Sequence, residues 1–134
     1  MNWGPSAWNF LNTIVRVYPE TPTAEIKEQH KRFFISLQNV LPCPKCRDHY
    51  KKNLELLPID DALDSKSKLK KWIIDLHNNV NKSRGVPEMP FEEALDIVEG
   101  KVITNKCSYI LYTLCCIFVL YLIYRFLVKK KKSK

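Results

Sequence analysis

Helical periodicity is the strongest constraint on this chain. Over residues 1–106 apolar side chains recur every three or four positions and no stretch alternates with period two, so strands have little claim. Ile26, Phe33, Phe34, Leu37, Val40 and Leu41 fall on one face of a helix that Thr21 opens as N-cap, with Pro22 at its first position. Leu69, Trp72, Ile73, Leu76 and Val80 repeat the pattern in a later helix. A first helix runs from about Pro5 to Tyr18, where Pro19 stops it. Another begins near Cys43 and fades by Leu57-Pro58, and a short fifth covers Phe91 to Val98. Four principal helices with short connections pack most simply as an antiparallel bundle, so the fold class is all-α: a four-helix bundle with a short fifth helix.

A different kind of segment follows. Between Cys107 and Val128 only Arg125 is charged. That run, as a helix, spans roughly 33 Å at the usual rise, enough for a bilayer core. Lys129-Lys130-Lys131-Lys132 then stops it. Charge divides the same way. Residues 1–106 hold 16 Lys/Arg against 14 Asp/Glu, whereas 107–134 hold 6 basic and no acidic residues. The overall +8 therefore belongs mainly to the tail and reads as a membrane-surface feature, not a nucleic-acid face. The expected organisation is one domain over 1–104, a single transmembrane helix over 105–128 and a basic tail over 129–134. Two rules oppose each other on orientation: lysines favour the cytosolic side, while the lack of an N-terminal signal pattern favours a tail anchor.

The folding unit is about 100 residues, small enough that a cofactor, partner subunit or covalent staple would help it considerably. Its two cysteines lie in Cys43-Pro44-Lys45-Cys46, just after Leu41-Pro42 and just before Arg47-Asp48-His49-Tyr50. A helix N-terminus at that point favours a thiolate, and Lys45 and Arg47 add to the bias. Two sulfurs three residues apart can close a small disulfide and so accept and release two electrons. A thioredoxin-like frame would need a strand before the motif. Cys43, Cys46, His49 and His77 also match the donor set of tetrahedral zinc, although no second close ligand pair exists. Cys107, Cys115 and Cys116 are most simply residues of the membrane helix.

Trp72-Ile73-Ile74-Asp75-Leu76-His77-Asn78-Asn79-Val80-Asn81-Lys82 sets His77 and Asn81 one turn apart. Asparagines are poor helix formers, so something besides propensity keeps three of them here. As a core histidine with a solvated polar face this stretch would be unremarkable. Taken together, the residues provide a ring for stacking and amides for the edge of a flat heteroaromatic cofactor. Trp3-Gly4-Pro5-Ser6-Ala7-Trp8 and Tyr18-Pro19 form a second aromatic group, in which Trp3 serves equally well as core filler.

In this order, Trp-Gly-x-x-x-Trp, Tyr-Pro, Cys-x-x-Cys and His-Asn-x-Val-Asn resemble the Erv/ALR sulfhydryl oxidases, over Trp3 to Lys82. The resemblance implies a helical bundle holding FAD, a homodimer, and electron flow from the thiols of a protein substrate through Cys-x-x-Cys and flavin to O₂. By the same resemblance Trp8, Tyr18, His77, Asn78, Val80, Asn81 and Lys82 fall at flavin-contact positions, with Trp3 and Trp72 beside them. Asn12 stands where the family usually has histidine. Cys46 would face the flavin and Cys43 would meet the substrate thiolate. A structural disulfide common in cellular members maps near Ile74 and Phe91, where packing would have to substitute. Short viral members resemble this minimal form, which suggests a viral or host intracellular membrane as its location. The rival reading is a non-enzymatic, membrane-anchored helical adaptor, with or without a zinc staple.

Overall fold

The computed structural model describes residues 3–101, 112–121 and 125. The chain forms two compact units, residues 1–102 and 103–134. The described residues of the first unit form five α-helices: α1 (Gly4–Val17), α2 (Ala24–Val40), α3 (Pro44–Leu56), α4 (Lys66–Ser83) and α5 (Phe91–Glu99). A short 3₁₀ helix, Asp60–Asp64, precedes α4.

Proline sets three of the helix ends. Tyr18, Leu41 and Leu57 are the C-caps of α1, α2 and α3, and each precedes a proline. The ring of the following proline pushes its predecessor out of the α region. Tyr18 and Leu41 accordingly adopt ψ of 138° and 137°. The last two helices end at glycine instead. Gly100 is left-handed with φ +71°, and its N–H closes on carbonyls of the last turn of α5.

Helix α2 starts later than the sequence pattern indicates. Thr23, not Thr21, is the N-cap, and its hydroxyl accepts the Ile26 N–H at 3.3 Å. Both threonines have the right chemistry, but only Thr23 has extended backbone directly before the first helical turn. Within that helix Phe34 is fully buried and Ile26, Phe33, Leu37 and Leu41 pack against the core. Val40, at the last position, is 66% exposed and does not join them.

Helices α1 and α4 run antiparallel: Trp8 stacks on His77 at one end, and the Tyr18 hydroxyl donates to the Leu63 carbonyl, just before α4, at the other. Helices α4 and α5 do the same, joined through Asn78 and Met89 at one end and a Lys70–Glu99 ion pair at the other. Between them Leu69, Trp72, Ile73, Ile74 and Leu76 of α4 meet Val15, Phe34, Ala94 and Val98 in one core. Ile74 is buried but Phe91 is 45% exposed. The α4–α5 contact therefore rests on Ala94 and Val98, and Phe91 is not the packing partner that would replace a disulfide there.

The second unit has a helix over 112–121, whose residues are exposed. No helix among the described residues is long and apolar enough to cross a membrane. The span expected over 105–128 falls largely outside the described residues, as does the tail at 129–134.

Candidate functional site

Three helix ends meet at one cavity of about 590 Å³. The start of α1 contributes Trp3, Gly4, Ala7, Trp8 and Leu11. From the start of α3 come Lys45, Cys46, His49 and Tyr50, and from the end of α4 come Val80, Ser83 and Arg84. Leu41 completes the wall.

The local reasons are plain. Gly4-Pro5 lets α1 begin immediately after Trp3, because proline in the first turn forfeits only an N–H that has no intrahelical partner. Cys43 is the N-cap of α3 and Pro44 its first residue. The Cys46 N–H donates to Cys43 Sγ at 3.2 Å, and the two cysteines are disulfide-bonded with Cα atoms 5.1 Å apart. Arg47 ties the preceding turn by donating to the Leu41 carbonyl at 2.9 Å. Of the two sulfur residues, Cys46 lines the cavity and Cys43 does not. Cys46 thus borders the cavity while Cys43 caps the helix.

Ring stacking organises the α1–α4 side. Trp8 and His77 are parallel within 11° with centroids 3.9 Å apart. Burial, and secondarily the nearby Arg84 cation, holds the His77 pKa below 6.5, so the imidazole is neutral near pH 7. Tyr50 forms a buried wall, its hydroxyl donating to the Phe34 carbonyl at 3.0 Å; burial raises its pKa. Lys45, His49 and Arg84 make no side-chain hydrogen bond to another described residue and leave polar groups free at the cavity.

Of the residues singled out from sequence, the cavity gathers Trp3, Trp8, Cys46 and Val80, with His77 behind Trp8. Others lie elsewhere. The Tyr18 hydroxyl is taken by Leu63 at 2.8 Å and Trp72 Nε1 by the Leu57 carbonyl at 2.9 Å, both at the far end of the bundle. Asn12 and Asn81 are buried without lining the cavity, and Lys82 is exposed opposite Glu88 at 4.0 Å. Both ends of the Asn78 amide bind the Met89 backbone. Residues that the motifs did not mark stand one helical turn from those they did: Leu11 after Trp8, His49 and Tyr50 after Cys46, Arg84 after Val80. That i+3 or i+4 spacing was the available signal.

Residues 5–99 match the family model described as Erv1 / Alr family. The chain belongs to the Erv1/Alr family. It is 39% identical over 107 residues to a probable FAD-linked sulfhydryl oxidase of Acanthamoeba polyphaga mimivirus, covering 79% of this chain and 75% of the relative. It is 35% identical over 99 residues to the FAD-linked sulfhydryl oxidase ERV1 of Arabidopsis thaliana, covering 74% of this chain but only 50% of that one. The crystal structure of the yeast Erv1 core superposes with a TM-score of 0.65 at 26% identity, over 69% of this chain and 77% of that one. An Erv1-type helical core thus confirms the all-α bundle expected from periodicity.

Proposed function

We propose that this Erv1/Alr protein is an FAD-dependent thiol oxidase that forms disulfide bonds in protein substrates. The observation that carries the reading is the division of labour in the Cys43–Cys46 disulfide, with Cys46 alone on the wall of an aromatic, cation-bearing cavity. The cavity suits the cofactor named in its relatives. Trp3, Trp8 and the apolar side chains present flat and greasy surfaces to a ring system, and Lys45 and Arg84 bring positive charge for phosphates. When bound there, FAD supplies two-electron acceptance from a thiolate and reoxidation by O₂, giving H₂O₂.

The chain's own residues supply the rest. A substrate thiolate attacks Cys43 Sγ, the Cys43–Cys46 bond breaks, and Cys46 leaves as a thiolate in the first turn of α3. Partial positive charge at that helix start favours the released anion, as does the adjacent Lys45. The substrate's second thiolate then attacks its own sulfur in the mixed disulfide and expels Cys43 as a thiolate. The substrate has lost two electrons and two protons; Cys43 and Cys46 hold the electrons as a dithiol pair. Cys46 is the sulfur placed to pass them into the cavity. Trp3, Trp8, His77 and Val80 orient the ring system in this reading, and Asn81 and Lys82 serve its polar part from the adjoining turn. Asn12, Tyr18 and Trp72 act only through the core in this reading, Tyr18 and Trp72 from the far end of the bundle.

Two further proposals complete the picture. The apolar run at 107–128, followed by lysines, supports a single membrane span that holds the oxidase on a viral or host intracellular membrane. Phe10 and Val17, 59% and 73% exposed, and the half-buried Ile14 between them form a stripe on α1 suited to a second copy of the chain, hence a homodimer. Of the four donors that a zinc-stapled adaptor would use, Cys43 and Cys46 are bonded to each other and His77 is stacked on Trp8, which favours the oxidase reading.

Purified protein should be yellow and consume oxygen with dithiothreitol. C43S should keep the flavin but lose turnover with protein dithiols. A well-folded preparation that neither contains nor takes up FAD would overturn the proposal.

A further inference from the structure

The connection from α4 to α5, Arg84 to Pro90, is fastened at two points. At its start, the N–H groups of Arg84 and Val86 both donate to the Asn81 carbonyl at 2.9 Å, and Gly85 takes φ +68° to make the turn. At its end, Asn78 Nδ2 donates to the Met89 carbonyl at 3.0 Å while Asn78 Oδ1 accepts the Met89 N–H at 2.9 Å. An amide paired this way uses its donor and its acceptor at once, which no other short side chain does without loss. Met89 itself packs against the core. Arg84 stands at the first fastener and lines the cavity. Asn78 does not line it.

We propose that Asn78 is a positioning residue: by clamping the Met89 backbone it holds the Arg84–Pro90 loop so that the Arg84 cation faces the cavity, and so sets how tightly an anionic dinucleotide is retained. This rests on the FAD reading above and assigns Asn78 a role other than direct contact. The physical logic is preorganisation. A loop with both ends fixed loses little freedom when Arg84 meets a phosphate, whereas a loop released at Met89 would have to be ordered by the ligand. Asp at position 78 keeps the shape but removes the donor and sets a carboxylate against the Met89 carbonyl. Ala removes both bonds.

The test uses the full chain as purified with its flavin, in four variants: N78A, N78D, R84Q and N78A/R84Q. Hydrogen exchange at the Met89 amide reads the clamp, with the Ile73 amide as internal reference for folding; release of fluorescent FAD on dilution reads retention. We expect N78A and N78D each to speed Met89 exchange at least about tenfold and weaken FAD about tenfold. R84Q should weaken FAD similarly while leaving Met89 exchange unchanged. The double variant should be no weaker than R84Q alone, because Asn78 acts through Arg84. Unchanged Met89 exchange in N78D, or additive losses in the double variant, would overturn the proposal. Wild-type protein without flavin would instead overturn the oxidase reading, while the exchange measurement would still judge the clamp.

Discussion

The two ends of the helical bundle use the same residue types in opposite ways. At the far end, every large polar aromatic is tied to a backbone carbonyl: Tyr18 to Leu63, Trp72 to Leu57. Arg16 reaches across to the Val98 carbonyl at 3.1 Å and closes the C-terminus of α5, where a cation is favourable. At the cavity end only the buried wall residue Tyr50 is tied in that way among the described aromatics, to the Phe34 carbonyl; the tryptophans border the cavity, a histidine is stacked on one of them, and Lys45 and Arg84 make no side-chain hydrogen bond to another described residue. Satisfied polar groups make a rigid foundation, and unsatisfied ones make a binding site. The difference shows that an aromatic residue's chemistry does not reveal its role until its hydrogen-bond partner is known.

This contrast can be broken from either side. The largest effect belongs to the cavity end: C46S should reduce oxygen consumption with dithiothreitol by at least about a thousandfold, because the redox sulfur of the residue on the cavity wall is gone. Its thermal midpoint should change far less than its turnover, and calorimetry beside an oxygen electrode checks both. At the far end the pattern reverses. W72A removes a core ring packed edge-on against Phe34 at 5.2 Å and strands the Leu57 carbonyl, so it should cost about 3–5 kcal/mol by denaturant unfolding. Any flavin defect in that variant should vanish under conditions where it stays folded. A direct loss of FAD contacts at full stability would instead put Trp72 in the site.

Smaller changes sharpen the comparison. Gly100 adopts φ +71°, and a Cβ there would collide with the Arg16 guanidinium. G100A should therefore destabilise by about 1–3 kcal/mol with little effect on turnover per folded molecule. R16Q should recover part of that loss by removing the collision. The smallest effect is electrostatic. Burial lowers the folded His77 pKa beneath 6.5, so the folded state binds fewer protons than the unfolded state once pH drops below that value. Stability of the flavin-free protein should be unaffected by this group above pH 6.5 and should decline as pH falls through it, the loss becoming complete below the folded pKa. H77Q should flatten that part of the profile; an unchanged slope would mean that His77 titrates as an exposed imidazole.

Much of the bundle was legible in the residues alone. Pro19, Pro42 and Pro58 stop helices wherever they fall, because the ring acts on its immediate predecessor whatever the tertiary setting. The apolar faces of α2 and α4 follow from spacing, and so does the placement of the cysteine pair at a helix start. The 3₁₀ helix at Asp60–Asp64 escaped the pattern: one turn is too short to show a period, although Ala62 and Leu63 are buried. Thr21 and Thr23 are equivalent as capping chemistry, and local backbone conformation chose between them.

Sequence by itself determined the helical class, the disulfide-capable pair and the family motifs, all of which depend on neighbours within a turn or two. Tertiary structure alone decided which motif residues share a wall. Trp8 and Cys46 meet because the starts of α1 and α3 converge with the end of α4, while Trp72, on the same helix as Val80, is carried two turns away to the closed end. Helical periodicity records which face a residue occupies; it carries no record of which helix end will stand beside another.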